Sequence, residues 1–447
     1  MTAVTVTGAN NQILTVQLNG VTNFTVAQQF ASIINQAAGV GTLTAFNVTD
    51  GGVTPMVPAG NTGEAVILSA MPPSTMPVGY TFVTDVASAP TTITGASDMS
   101  GFEGVLSGTA GVTFNAGTTD GIFVAGGGAN LFNGATSTFS VYTGDGNDTI
   151  TTGAGSDYVD AGSGANVINL GSGSTYVAST SNDLITGGSG LSTVGASGHG
   201  ATINGGTGAI LISSTGASDV VTLGTGGGSI FGGTNSTYNL VGNAMVIGDD
   251  GSNTVNAGGA TAFVSAGAGN ELVKGGSGAL TFLGGAGNST VVGGAAPVTL
   301  FGATGGSVTF TGTTGGNTLT VIDSGKVDAS GSTGSGDTLF GGLGANTIIG
   351  GTGADLFVVR SGASSLTGGA NGVNTFDFVA SNTGGATDVI SDFKSADKVA
   401  ISGYTADTAA EVLKSATVSG GSTTITLSDQ TKIVFQNYTN LGSGNFS

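Results

Sequence analysis

Residues 143–169, TGDGNDTITTGAGSDYVDAGSGANVIN, repeat one nine-residue phrase three times. The copies are Gly144, Gly146, Asp148, Ile150; then Gly153, Gly155, Asp157, Val159; then Gly162, Gly164, Asn166, Ile168. A second run, GSGDTLFGGLGANTIIGGTGADLFVV, sets Asp337, Asn346 and Asp355 nine residues apart, with Leu339, Ile348 and Phe357 in the apolar slot. A unit of two glycines, one acid and one apolar residue is too small to bury a face alone, so it has to stack on its neighbours. From about 100 to 385 the chain consists of short strand-like pieces such as STFSVYTG, VVTLGTG, LTFLGGAG and SVTFTG, separated by glycine-rich turns. This spacing predicts a β-solenoid with two units per coil, hence roughly 15 coils and a rod on the order of 70 Å long at ~4.8 Å per strand.

The 86 glycines do not follow a three-residue period and are accompanied by only 7 prolines, which excludes collagen. With 38% hydrophobic and 7% charged residues the chain is able to bury a core and is not a disordered tract. Positive φ angles at tight corners account for glycine at those places.

The flanks read differently. AVTVTG and ILTVQLNG alternate at strand period, with Asn19-Gly20 as a turn signal. TVAQQFASIINQAAG predicts a helix with Val26, Phe30, Ile33, Ile34 and Ala37 on one face, Thr25 and Gln28 as a capping box and Gly39 as the stop. SAMPPSTMP, at 69–77, predicts a loop. Near the C-terminus TADTAAEVLKSAT predicts a helix with Ala409, Val412 and Leu413 on one side, and STTITLSDQTKIVFQNY predicts a hairpin around Ser428-Asp429-Gln430. The expected fold is therefore an all-β parallel β-solenoid (β-roll or β-helix) over 101–385. A small α+β domain over 1–100 precedes it, and a capping segment over 386–447 protects the open end of the ladder.

The net charge is −19, and the seven basic residues all lie from Lys274 onward. The first 273 residues carry fifteen carboxylates and no lysine or arginine, so any charge compensation there comes from solvent cations, bound metal or a partner. Nucleic acid is excluded as a partner because phosphate binding needs clustered cations. Cysteine is absent, which removes disulfide and thiol chemistry. The first twenty residues have neither the positive region nor the apolar region of a signal peptide. No apolar run spans a bilayer. An export address is expected elsewhere, with Met1 or Thr2 as the mature N-terminus.

In the pattern x-G-x-G-x-D-x-U-x the turn offers carbonyl oxygens and the Asp a carboxylate. Hard donors of this kind suit Ca²⁺, which takes about 6 to 8 oxygens in flexible geometry. One turn supplies half a shell, and the turn one coil away supplies the rest. These tandem copies resemble the RTX family of calcium-binding repeat proteins. The resemblance implies Ca²⁺ as the cofactor, with Asp337, Asp355, Asn346, Asp148, Asn166, Asp157 and Asp183 as metal-site residues on the turns of Gly144, Gly146, Gly153, Gly155, Gly336 and Gly353. Asp337 and Asp355 are eighteen residues apart in intact units and rank first, Asp148/Asn166 second and Asp157/Thr175 third. Between the two runs the pattern decays: the acid slot holds Asn166 and Thr175, recovers as Asp183 after a one-residue slip, then holds Asn253, Glu271, Leu280 and Ser289. Calcium is expected at a few coils only. TDVISDFKSADKVAIS resembles the C-terminal segment of RTX proteins exported by one-step (type I) secretion, with Ser395 where glycine is common.

Catalytic material is sparse. The single histidine, His199, rules out the two-histidine zinc helix, and no Gly-x-Ser-x-Gly elbow occurs. Asp249-Asp250 is expected to be a turn pair, not an acid pair for glycoside chemistry. The expectation is a non-enzymatic, secreted, calcium-stabilised structural protein. It would self-associate on the exterior of a bacterial cell as a surface-layer or matrix-filament subunit, with cell-surface polysaccharide as a further partner. The rival readings are a monomeric RTX adhesin, a polysaccharide-active solenoid enzyme, and an ice-binding solenoid displaying threonine ladders such as TTITG.

Overall fold

The computed structural model describes residues 2–19, 21–48, 56–69, 79–95, 103–302, 306–320, 325–381 and 384–447. The chain divides into two compact units, 1–229 and 230–447, and each is built as a parallel β-solenoid. Consecutive strands alternate between two sheets, and a strand pairs in parallel with the strand one coil on. Thr149–Thr151 pairs with Val167–Asn169 in one sheet, and Asp157–Asp160 pairs with Thr175–Ser179 in the other. Both registers shift by eighteen residues, two nonapeptides. In the second unit Thr338–Phe340 pairs with Leu356–Val359 in the same register. The one-residue slip before Asp183 is real: Val167 pairs with Leu184, seventeen residues on.

Short strands suffice because alternate residues face inward and both sheets feed one core. Ile150, Val159, Ile168 and Val177 follow one another along it, fully buried. Phe114, Phe123, Phe132 and Phe139 come from alternating sheets and stack with centroids 5.3 to 6.0 Å apart. The apolar slot of the repeat is thus a core position repeated once per half-coil.

The ladder begins well before residue 101. Leu43–Val48, Thr62–Ile67 and Phe82–Asp85 pair in parallel and lead directly into Glu103–Ser107. What precedes them is a cover for that sheet. Strands Thr2–Thr7 and Ile13–Leu18 form an antiparallel hairpin, and the helix α1 (Val21–Gly39) packs beside it. Leu14, Val16, Leu18, Phe30 and Ile34 close over Val66, Phe82, Leu106 and Val124 on the outer face of the sheet. Phe30 meets Phe82 edge-on at 5.1 Å, and only a glycine at 104 leaves room for the Phe30 ring. The helix starts at Val21, so Thr25 and Gln28 lie inside it and not at the expected capping box, and Ile33 points to solvent at 48% exposure while Ala27 and Ala31 are buried. Small residues face the sheet because the helix lies close to it. The loop expected at 69–77 falls outside the described residues apart from Ser69.

At the other end the ladder continues beyond 385. Lys398–Ser402 extends the sheet of Thr375–Val379, and Thr387–Ile390 pairs in parallel with Lys432–Phe435. The predicted hairpin then folds back antiparallel through Ser422–Thr426, with Gln430 at φ 72° in its turn. The helix α2 (Ala409–Lys414) is capped by the Thr408 hydroxyl, which accepts from Glu411 N at 3.3 Å. Together the two units hold about 17 turns, more than the roughly 15 expected, because strands on both flanks join the ladder.

Two physical reasons account for the repeat glycines. Gly144 and Gly146 take left-handed φ of 78° and 135°. Gly153, Gly155, Gly336 and Gly353 do not; a Cβ on any of them would collide with backbone of the adjacent coil. On Gly153 it would overlap the Ala135 carbonyl oxygen. Gly153→Ala should therefore cost about 1–3 kcal/mol or more, whereas Gly442→Ala, with open space around the added carbon, should stay within about 0.5 kcal/mol. Denaturant unfolding of the two variants measures the difference, and equal stabilities contradict the coil-contact explanation.

Candidate metal centre

At some solenoid corners the backbone N–H at the start of a strand is paired with a backbone carbonyl of the next coil, as Asp157 N is with Ser174 O at 2.9 Å; at others a side chain must pair it, because a buried donor cannot be left open. The acid slot of the repeat supplies the acceptor. Asp148 Oδ1 accepts from Asn130 N at 2.8 Å, Asn166 Oδ1 from Asp148 N at 2.9 Å, and Asp183 Oδ1 from Asn166 N at 3.0 Å. On the other sheet Asp157 Oδ1 accepts from Phe139 N at 2.8 Å. The second unit repeats the device. Asp337 accepts from Asn317 N at 2.8 Å, Asp355 from Asp337 N at 2.7 Å, Asn374 from Asp355 N at 2.9 Å and Asp397 from Asn374 N at 2.9 Å. Each slot residue is a rung tying its coil to the one before.

One rung atom remains, and its chemistry depends on the residue. In Asn130 it is Nδ2, which donates to the carbonyls of Gly127, Gly128 and Thr143 at 3.2 to 3.3 Å. In Asn374 it donates to Gly368 O at 3.0 Å. An asparagine rung therefore satisfies the glycine turn by itself. In an aspartate rung the equivalent atom is Oδ2, which has no hydrogen to offer the turn carbonyls. Oδ2 of Asp148, Asp157 and Asp337 is buried and without a hydrogen-bond partner among the described residues. Such a group is expensive to keep. Burial pushes the Asp148 and Asp355 carboxyls up to about 6 and raises Asp157 and Asp337 as well; at Asp355 the neighbouring Asp337 charge adds to the effect.

The candidates are not equivalent. Asp337 and Asp355 occupy successive rungs of one sheet with no amide between them, whereas Asp148 lies between Asn130 and Asn166, and Asp157 lies between Phe139 and Thr175. Asp355 Oδ2 also accepts from Gly351 N at 2.8 Å. Asp183 is satisfied within the protein: Ser179 Oγ donates to Oδ2 at 2.7 Å and Ser181 Oγ to Oδ1 at 3.2 Å. Asn346 stands on the opposite sheet from Asp337 and Asp355, its Nδ2 donating to Gly342 and Gly344 carbonyls while Oδ1 stays unpaired. Sequence reading missed the rungs Asn317, Asn374 and Asp397, because their spacings of 19 to 23 residues drift from the nonapeptide frame, and it missed Asn130, which is in frame at 18 residues but carries an amide in place of the acid.

Residues 142–177 and 332–370 match the family model described as RTX calcium-binding nonapeptide repeat (4 copies). The chain carries RTX repeats. RTX nonapeptide repeats bind calcium. No curated protein sequence matches the chain. The acid rungs fit the ion: their donors are all oxygen, Oδ2 of Asp148, Asp157 and Asp337 has no hydrogen-bond partner among the described residues, and no lysine or arginine of the first 273 residues is there to neutralise Asp148 or Asp157. Among the described residues no three carboxylates or imidazoles converge, so Asp148, Asp157, Asp337 and Asp355 would hold calcium with turn carbonyls completing the shell. Bound calcium supplies the charge that neutralises a buried carboxylate.

Two outcomes follow from the rungs. Asp355→Ala should lower calcium stoichiometry, and the thermal stabilisation that calcium gives, more than Asp157→Ala does; calorimetric titration and melting of both variants check this, and equal losses count against the ranking. The second concerns pH. In calcium-free buffer the folded-state pKa values are raised, to about 6 for Asp148 and Asp355 and about 7 for Asp388. Between pH 4 and 7 the folded state then binds more protons than the unfolded state, so stability falls as pH rises through that window. Calcium should flatten this slope at the metal rungs. Glu64, buried under the N-terminal cover and raised to about 7, should keep its share of the slope with or without calcium. Melting curves from pH 4 to 8 in both buffers test the sign.

Proposed function

We propose that the protein is an extracellular, calcium-stabilised structural protein, exported from a bacterial cell and assembled on its surface as a layer or matrix-filament subunit. The observation that carries this reading is the set of buried, unpaired carboxylate oxygens on rungs of a chain so poor in cationic side chains. Such rungs close best where free divalent cation is plentiful, and extracellular calcium modules work at about 10⁻⁴ to 10⁻³ M. No helix among the described residues is long and apolar enough to cross a membrane.

Outward-facing side chains favour self-assembly over a sugar ligand. In the second unit Leu283 and Phe301 follow one another on neighbouring strands at 39% and 42% exposure. In the first, Tyr158 and Tyr176 stack at 5.5 Å, with Tyr176 43% exposed. Stacking covers one ring face of each tyrosine with the other. A sugar ring needs a free face, whereas a protein surface packs against edges. His199 lies exposed at an isolated bridge to Ala217, and Asp249 and Asp250 lie exposed in a turn, positions that suit solvated corners better than catalysis.

Export through the C-terminal segment is part of this proposal, resting on TDVISDFKSADKVAIS; residues from about 388 onward should be needed for secretion. Electron microscopy and sedimentation with and without calcium test the assembly. Lattices or fibres in calcium that disperse on chelation support it. Isolated particles under both conditions favour the monomeric adhesin instead.

A further inference from the structure

The second unit holds an acid rung outside both segments that match the repeat family. Asn253, Glu271 and Ser289 lead the successive strands Thr254–Asn256, Leu272–Lys274 and Ser289–Val292 of one sheet. Ser236 N donates to Asn253 Oδ1 at 2.9 Å, and Glu271 N donates to Ser289 Oγ at 3.4 Å, so the column is tied as the RTX rungs are. Glu271 is 3% exposed. Its Oε1 accepts from Asn253 Nδ2 at 3.3 Å, while Oε2 is buried with no hydrogen-bond partner.

Glutamate is one methylene longer than the aspartate of the repeat, and the structure makes space for that length at a glycine. A Cβ on Gly248 would lie 2.6 Å from Glu271 Oε1, so the carboxylate rests against the corner Gly248-Asp249-Asp250-Gly251. At this corner Asn253 Nδ2 already donates to Gly251 O at 3.2 Å, which is how an amide rung satisfies a turn carbonyl. Glu271 has no hydrogen to offer. Its free oxygen is buried without a donor, and two exposed carboxylates, Asp249 and Asp250, lie on the turn that Oε1 touches. A positive charge with no directional demand fits this set. Calcium tolerates irregular carbonyl and carboxylate ligands, whereas magnesium demands a near-octahedral shell.

We propose that Glu271, seated against the Gly248–Gly251 corner, is a calcium site of its own, formed by a glutamate rung in the part of the chain where the nonapeptide pattern has decayed. The proposal rests on the reading that acid rungs with an unpaired oxygen take calcium, and the test separates the two. Calcium stoichiometry of the full chain is measured by calorimetric titration for the unchanged protein, Glu271→Gln and Glu271→Asp, with melting temperatures in calcium-free and calcium-containing buffer. The expected result is a stoichiometry lower by one for Glu271→Gln. Its melting temperature without calcium should hold or rise, because the new amide donates where the carboxylate could not, while the gain on adding calcium shrinks. Glu271→Asp should keep the site with weaker affinity, since the shorter side chain withdraws from Gly248. Unchanged stoichiometry in Glu271→Gln overturns the Glu271 site while leaving the RTX rungs standing. No calcium bound by the unchanged protein overturns both.

Discussion

Everything in this fold depends on how closely one coil can lie on the next. The ladder strands are three to six residues long and pair in parallel along the stack, so corners must repeat with the same spacing as the strands. That closeness leaves no space for a Cβ at Gly153, Gly155, Gly336 or Gly353, where backbone of one coil touches backbone of the next. It also leaves corner N–H groups pointing at the neighbouring coil, and one short side chain with an oxygen at the right reach can receive them. Aspartate, asparagine and, at Ser289, a serine hydroxyl fill that role. The nonapeptide is the sequence form of these two demands: glycine where coils touch, an oxygen where a corner must be tied.

Asparagine and aspartate meet the second demand equally well and part company at the remaining atom. An amide hydrogen closes the turn, as at Asn130, and the coil is complete without help. A carboxylate leaves the turn short of a donor and adds a buried charge, as at Asp148. A third solution appears at Asp183, where the hydroxyls of Ser179 and Ser181 supply the missing hydrogens. The decay of the aspartate along the middle of the chain is thus not a decay of the fold. A coil tied by Asn130, or by Asp183 with its two serines, has its slot side chain paired within the protein, whereas the coils of Asp148, Asp157 and Asp337 do not.

Much of the architecture was legible because the period is strong. The eighteen-residue register, the inward Ile, Val, Leu and Phe slots and the C-terminal hairpin all follow from alternation and spacing. What escaped is tertiary. The start of the ladder lacks the alternation of the repeats because its outer face is covered by α1 and the hairpin instead of solvent, so both faces are buried, as in Thr62–Ile67, where the last five residues, Glu64 included, are buried. Ile33 fits the helical face in sequence, yet the sheet lies against Ala27, Phe30 and Ala31, which admit a closer approach. At the site, the acids were legible and the hydrogen-bond partners were not: nothing in the spelling of Asp183 announces that two serines already satisfy it.

The same distinction bears on the C-terminal segment. Its acids are rungs in the folded chain: Asp388 Oδ1 accepts from Ser364 N at 2.8 Å, Asp392 from Gly368 N at 2.6 Å and Gly369 N at 2.9 Å, and Asp397 from Asn374 N at 2.9 Å. A pattern that resembles an export address is also what the ladder needs at its last corners. Asp388 is the costliest of them, fully buried with Oδ2 unpaired and the charge of Asp429 nearby, its carboxyl raised to about 7. While uncompensated, that carboxylate opposes closure of the final coils near neutral pH. The acids that carry the likeness to an export segment are therefore accounted for by the corners they tie in the folded chain, and the likeness alone does not separate the two demands.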